Sequence, residues 1–587
     1  MANESFSNTA IIEVGGQPLP NDIAALLSYA HVDDSRNLPD AFVLRFRDPN
    51  LVVLSKARFT IGAKVTISAQ TAEPGGPEPL IEGEVTAVEL DLDPTGTMIE
   101  VRGLDVAHRL FRGRRVAAYP GMGLADVIRK VAQRAGVKAG DIDTVPGVGG
   151  GKDGQITQNN VSDWDFLSEH ADLVGAHLSV EKGALCFKLP APPTGAPNTD
   201  ARATTNPLVL EAHGNLISLR ATVRATGQVP SVEARGWDME HKQPVTATAT
   251  PRTAGTEVPG AVPTKLASTF SAPPLRAADP AWQTAETVKA AATALADQLG
   301  ASSVELDGVA KGNPKLRAGA AVSLANVGDP FTGKYALTQT RHIFNPETGY
   351  RTAFTVAGRE ERSLFDLAGG MDGEAGGPGG VTSGMVPAIV SDIRDPRKLG
   401  RVKVTFPWLD KDYVTSWARV VQPGAGNGRG ALVLPEVNDE VLVGFAHGDP
   451  DCAYVLGGMH NGKDAVPKLE TEPVDSGSGA VAVRGFVSRK GHTMQFNEDG
   501  GVLVATGDGK LSVRLDLKKK VVEVLGDAIK LTATKTVEIK GPNGVTIDAG
   551  SGALQLKGMT AALNGQSKLD VTASGPITVS GTPIKLN

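Results

Sequence analysis

The sequence predicts a mainly β fold with some α, ending in a rod of stacked short strands, and three observations carry this. An apolar, polar, apolar triplet recurs ten times in the last eighty residues at nearly constant spacing. The 587 residues include 69 glycines and 38 prolines but only 5% aromatics, a composition suited to many turns that need a positive or a fixed φ. Between 384 and 462 the apolar runs are short, close together and parted by turn residues, as in a small five-stranded barrel.

A chain of this length exceeds a single core, and about three to five domains are expected. Its 59 Lys and Arg against 65 Asp and Glu leave a net charge of −6, which gives no electrostatic footprint for nucleic acid or an anionic membrane. Cys186 and Cys452 are the only cysteines and lie far apart. No disulfide framework is therefore expected, and folding in a reducing compartment is. Met1 to Ser5 offers no basic n-region and no apolar h-region follows. With no run of about eighteen apolar residues, the expectation is cytoplasmic synthesis and assembly without stable membrane insertion.

Along the first 365 residues strands mix with a few helices. Phe42–Arg47, Lys64–Ser68 and Ile81–Leu90 alternate like half-buried strands, with Asp48-Pro49 and Pro74–Pro77 as turns. Leu124, Val127, Ile128 and Val131 fall at helical spacing and the helix closes before Gly136. Ser162-Asp-Trp-Asp165 reads as a capping box opening a second helix to Val174. A third is expected from Asp279 as N-cap and Pro280 as first residue to Gly300. Residues 190–206 and 243–275, rich in Pro, Ala and Thr without a period, read as surface excursions. The glycine pairs at 369–370, 376–377 and 379–380 mark a flexible hinge over 368–384.

The barrel-like block holds Asp395–Trp408, Ser416–Val420, Gly424–Gly430, Leu434–Phe445, His447–Asp451 and Gly457–Gly462. Gly400 and the 424–430 loop permit turns, Pro435-Glu436 is expected to start a strand, and Asn438-Asp439 to form a hairpin turn.

The ten triplets run from Val513-Arg514-Leu515, Val522-Glu523-Val524 and Ile529-Lys530-Leu531 to Ile577-Thr578-Val579 and Ile584-Lys585-Leu586, their centres stepping by 7 to 9 residues. Both apolar residues of a triplet lie on one face of a strand, and glycines in the gaps turn the chain. Such units bury their apolar face only by stacking, which builds a shaft. About twenty buried Val, Ile and Leu side chains at ~2 kcal/mol stabilise by ~40 kcal/mol, against ~110 kcal/mol for ordering about 75 residues. About seventy ladder bonds at ~1 kcal/mol net close that gap only if both edges of every strand are paired. One chain coiled on itself could pair them, as could several identical chains wound together. The second is expected, because no capping helix follows the last strand. An antiparallel sandwich of short strands is the alternative.

As a set, the 386–463 motifs resemble the OB-fold domain of VgrG-like central spike proteins of contractile injection systems, which are related to phage tail hubs and spikes. Residues 1–365 are similar to that family's hub through Arg112–Gly121 with its following helix and through Gln158–Ala171. The tail resembles the family's trimeric β-helical needle. The resemblance implies phage-hub-like β-barrel domains with inserted helices over 1–367, a Gly-rich linker over 368–384, an OB-fold over 385–465, a neck over 466–500 and a β-helical needle over 501–587. It implies a homotrimer that joins tail tube and baseplate proteins to a PAAR-like tip, punctures a target envelope, takes cargo effectors as further partners, and belongs to a phage-tail-like particle open to release or ejection. Ile577, Val579, Ile584, Leu586 and Asn587 would then dock the tip protein. No His follows His492, so a His-ligated iron at the apex would come from the partner.

Enzymatic chemistry is not expected, and no catalytic, metal or cofactor residue is assigned. His447, Asp449, Asp451, Cys452 and His460 lack a paired metal-ligand spacing and read as structural loops. Glu169, His170 and His177 read as satisfied polar or core positions. Gly147–Asp153 fails the phosphate-loop spacing and carries Asp153 in place of Ser or Thr. No Gly-x-Ser-x-Gly elbow occurs, and about forty residues between Gly462 and the needle leave no room for the lysozyme some phage spikes carry there. A spike-associated hydrolase of peptidoglycan and an OB-fold module for nucleic acid or glycan are the rival readings. Against the second, Trp408 and Trp417 read as core packing and Lys518–Lys520 as a solvated strand edge.

Overall fold

The computed structural model describes residues 9–71, 76–94, 96–149, 154–239, 241–357 and 384–585, in two compact units, Met1–Ala465 and Val466–Asn587. The hinge expected over 368–384, except Gly384, and the docking residues Leu586 and Asn587 lie outside the described residues, as do Gly150–Asp153 of the glycine-rich loop.

An eleven-stranded sheet organises the N-terminal region. Its strands are β1 (Thr9–Val14), β2 (Gln17–Pro18), β3 (Leu27–Ser35), β4 (Ala41–Arg47), β5 (Lys64–Gln70), β6 (Glu78–Asp93), β7 (Gly96–Leu104), β8 (Leu216–Val223), β9 (Val304–Lys311), β10 (Gln339–Asn345) and β11 (Gly349–Val356). Their order is β8-β9-β11-β10-β3-β4-β7-β6-β5-β1-β2. The early and late strands therefore join at β10 and β3, where Arg341 is paired with Asp33 in register and donates to its carboxylate, Nη2 to Oδ2 at 2.9 Å. Period-two alternation turns Phe42, Leu44 and Phe46 of β4 inward. Both halves of the sheet share one packing device. Phe42 lies over Gly103 of β7, and Phe354 of β11 over Gly308 of β9, so that a Cβ on either glycine would run into the ring.

Helix α1 (Leu124–Arg134) buries Leu124, Val127, Ile128 and Val131 as its spacing requires. Helix α2 (Asp163–Val174) begins where Ser162 Oγ accepts the Asp165 N–H at 3.1 Å and ends at Gly175 with φ +72°. Helix α3 (Ala285–Ala301) starts later than Asp279-Pro280 suggests. Thr284 is its N-cap, with Oγ1 accepting the Thr287 N–H at 3.1 Å, while Asp279 closes a separate turn on Ala281. Residues 243–275 are also more than an excursion. Gln243–Ala249 and Leu275–Ala278 flank Val232–Asp238 in a three-stranded sheet. Val245, Ala247 and Ala249 pack with Ala234 against Val288 and Ala292 of α3, an alternation of small residues hidden by the Pro and Thr content.

The five-stranded barrel follows as β12 (Met385–Asp392), β13 (Lys403–Thr405), β14 (Arg419–Val420), β15 (Glu440–Phe445) and β16 (Ala453–Gly458), in the order β13-β12-β15-β16-β14. Val390, Val404, Phe406, Tyr413, Val441, Val443 and Val455 form its core. Asp395 ties the connection between β12 and β13, accepting the N–H groups of Arg397 at 3.0 Å and Leu399 at 2.8 Å and the Arg401 guanidinium at 2.7 Å. Pro435-Glu436 opens no strand, since Asn438 takes φ +78° in the turn and β15 begins only at Glu440. Trp408 is not core either. It is 57% exposed and donates from Nε1 to the Pro387 carbonyl at 2.8 Å. Trp417 is half-buried, with Lys403 5.3 Å and Arg401 5.9 Å from its ring centre.

In the second unit β17 (Val483–Val487), β18 (Thr493–Asn497), β19 (Gly501–Ala505), β20 (Ser512–Asp516) and β21 (Val521–Leu525) form an antiparallel meander in chain order. It contains two of the ten triplets. From Ile529 onward the described triplets have no strand ladder within the chain. Lys518–Lys520 form the hairpin turn between β20 and β21, with Lys520 at φ +56°, and are not a strand edge.

Candidate functional site

The register of the meander sorts its side chains into two faces. Phe486, Met494, Val504, Val513 and Val524 stand opposite one another across all five strands, and Phe496, Val502, Leu515 and Val522 form a second row beside them. On the other face Gln495 is buried at 1% exposure, its Oε1 accepting the Glu470 N–H at 3.3 Å, and Arg514 pairs with the Glu470 carboxylate. The chain therefore covers Val483 and Gln495 on this face and leaves the rows of Phe486 and Val522 on the other face bare. Phe486 is 68% and Val522 67% exposed. The triplets beyond continue the pattern, with Leu531, Ile547, Leu556 and Val571 all exposed. Of the expected docking residues, Ile577, Val579 and Ile584 are exposed too. An uncovered apolar surface of this extent marks an interaction face.

A second built feature joins the N-terminal region to the barrel. Strand Gln155–Val161 pairs with Arg115–Pro120, whose Val116 and Ala118 pack against the barrel core. Asp451 Oδ2 accepts the Thr157 N–H at 3.0 Å and its Oδ1 accepts the Thr157 hydroxyl, which also meets Tyr413 Oη at 3.2 Å. Gln155 Nε2 donates to the Val414 carbonyl at 3.2 Å, and Gln283 Nε2 lies 2.6 Å from Cys452 Sγ. Desolvation, the neighbouring Asp449 and then Glu169 push Asp451 up to about 8. Burial, then Asp449, pushes the Cys452 thiol up to about 12, which keeps it protonated and unreactive.

The residues weighed for metal binding are thus mostly engaged with protein groups. Asp449 caps the Asp451 N–H at 2.8 Å, Asp451 and Cys452 face the N-terminal region, His447 lies 3.5 Å from Asp279, and His460 is exposed. Glu169 is exposed, and His177 Nδ1 stands 3.3 Å from Asn37 Oδ1. His170 is packed edge-on to Phe166 with its Nε2 unpartnered, and burial pulls it down to about 4, so it is a neutral core residue rather than a satisfied one. Thr157 and Tyr413 carry no motif. Nothing in the sequence signals a contact between residues 157 and 451.

Residues 386–460 match the family described as the type VI secretion system/phage-baseplate injector OB domain. Residues 47–345, just over half of the chain, match the Alg8 N-terminal domain. The type VI secretion system spike protein VgrG1c of Pseudomonas aeruginosa is 35% identical over 104 residues, 17% of this chain and 14% of that protein. VgrG3 of Vibrio cholerae, also a type VI spike protein, is 38% identical over 72 residues, 12% of this chain and 7% of its own length. The chain thus spans only about one seventh of the first of these relatives. The Francisella PdpA–VgrG complex in its lidded form aligns with TM-score 0.50 at 8% identity, over 89% of this chain and 80% of that one, a likeness of fold. The chain belongs to the Alg8 N-terminal domain family and, with an injector OB domain behind that region, is VgrG-like.

Proposed function

We propose that the chain is the homotrimeric central spike and hub of a contractile injection system, joining tail tube and baseplate to a PAAR-like tip and puncturing the target envelope. The observation that carries this is the bare apolar face of the meander, continued by the exposed triplets after it. A face of this kind costs about 25 cal/mol for each Å² left in water, and the described triplets from Ile529 onward have no ladder within the chain to pair their backbone. Three identical chains cover the faces against one another and close the edges at once. The spike names of the curated relatives and the VgrG-like fold support the same reading.

The mechanism is mechanical. Sheath contraction supplies the free energy, and a shaft of interwound chains transmits it, because unfolding one chain requires unwinding all three and the barrier is correspondingly large. Ile577, Val579, Ile584, Leu586 and Asn587 form the tip-docking end, and cargo effectors travel with the particle. The chain itself performs no catalysis, so zymography on peptidoglycan should show no clearing band. Native mass spectrometry tests the central claim. A species of three times 60.9 kDa is expected, and a monomer at 60.9 kDa would overturn it.

A further inference from the structure

The geometry points to a binding site for a monocarboxylate, of the kind borne by a free amino acid or a peptide C-terminus, where the ends of β3, α2, α3 and β11 meet. A cavity of about 410 Å³ opens there, lined among others by Arg36, Asp172, Thr256, Asp297 and Gln298. Its volume falls in the range of small-ligand sites, which favour junctions between packed subdomains.

Arg36 is the residue that calls for a ligand. It is half-buried, and desolvation lowers its pKa despite the through-space pull of Glu181 and Asp34. Both of those carboxylates are already engaged, Glu181 by Lys188 at 3.1 Å and Asp34 by Arg317. Among the described residues the Arg36 guanidinium makes one long hydrogen bond, Nη2 to the Gly319 carbonyl at 3.4 Å, and no carboxylate stands within ion-pairing distance. Most of its five N–H donors are therefore unused, in a setting where a withdrawn charge is normally paired.

A second, independent observation lies in the lining of the same cavity. Thr256 is 5% exposed and its hydroxyl has no hydrogen-bond partner. A carboxylate satisfies both groups, accepting the guanidinium fork through two oxygens and the hydroxyl through a remaining lone pair. The charge on the lining sets the class. Asp172 and Asp297 share the cavity, Asp297 already held by Arg252 at 3.2 Å, so a single negative charge is accepted where a phosphate dianion is repelled. Gln298 in the lining offers a partner to the amide or ammonium group that an amino acid or a peptide end carries. The site does not depend on the spike reading.

Isothermal titration calorimetry of the full-length protein at pH 7 tests it, with trialanine, trialanine amide, alanine and inorganic phosphate as probes. Saturable binding of trialanine or alanine is expected, with alanine alone indicating a free amino acid and trialanine alone a chain terminus. The amide should bind at least about tenfold more weakly, Arg36→Gln should lose about ten- to a hundredfold, and Thr256→Val several-fold. Arg36→Lys keeps the charge but not the fork, and decides the matter if the Gln variant fails to fold: it should bind at least about fivefold more weakly than the wild type. Equal affinity for acid and amide, full affinity in the position-36 variants, tighter binding of phosphate, or no heat with any carboxylate would each overturn the assignment.

Discussion

Asp451 grips Thr157 with both oxygens of its carboxylate, Oδ2 on the backbone N–H at 3.0 Å and Oδ1 on the hydroxyl, although the two residues are 294 apart in sequence. The pair is the polar centre of the joint between the N-terminal region and the OB barrel. Asp449, Glu169 and Tyr413 face it, Asp279, His447 and Cys452 lie beside Asp449, and among the described residues no Lys or Arg pairs with Asp451 or Asp449.

The joint should therefore weaken as the pH rises. A carboxyl raised from an ordinary value near 4 in the unfolded chain to about 8 here is bound as the neutral acid, so its contribution is complete below about pH 4 and lost as the pH climbs through about 8. Asp451→Asn stays neutral and should be more stable than the wild type by about 2 kcal/mol at pH 8.5 and no more stable at pH 4.5. Asp40 and Asp105 in the hub are also raised by desolvation, so the comparison is the difference between the two proteins in thermal unfolding. An identical pH slope in both would sink the idea.

The opposite sign holds at Asp395. Its pKa is depressed by the Arg401 guanidinium and by backbone N–H groups of the turn it ties, so its contribution is present above about pH 4 and is lost on acidification through the depressed value. Asp395→Ala leaves Arg401 unpaired and the turn untied, at a cost of about 3 kcal/mol. Urea denaturation at pH 7 should show it, with a smaller difference at pH 2.

Gly103→Ala should destabilise the hub by about 3 kcal/mol or more, because the added methyl meets both the Phe42 ring and the backbone of β6. Pairing it with Phe42→Leu should recover part of the loss, and simple additivity of the two changes would show that the ring is not the obstacle.

Val513→Asp puts a charge in the middle of the bare ladder. In a lone chain the site is exposed and the cost small, while in an assembly three charges would be buried together. Native mass spectrometry should show monomers whose first unit retains its wild-type thermal transition. Removing residues 576–587 should leave the trimer intact and abolish capture of a PAAR-like tip protein, and retained capture would place the tip contact elsewhere.

What could be read in advance was what local chemistry dictates. The Ser162 cap, the spacing of Leu124, Val127, Ile128 and Val131, and the alternation of Phe42, Leu44 and Phe46 each follow from neighbours in sequence. The sheet of 232–278 escaped notice because Ala and Thr alternate too weakly to signal a buried face, and Trp408 was misjudged because a single hydrogen bond to Pro387 holds it at the surface. The Asp451–Thr157 contact and the Arg36 cavity arise only when distant segments meet. The octad pattern was plain, but which face of the meander the chain leaves bare required the register.

A sheet that leaves one apolar face in water sets a clock for the protein's maturation. The first unit holds buried cores of its own, so its folding within one chain should not depend on concentration. In the proposed trimer the tail gains its last free energy only on encounter, so its formation should quicken with chain concentration and stall on dilution. On that reading a new chain carries an exposed apolar face until partners cover it, and a shortage of partners should favour aggregation.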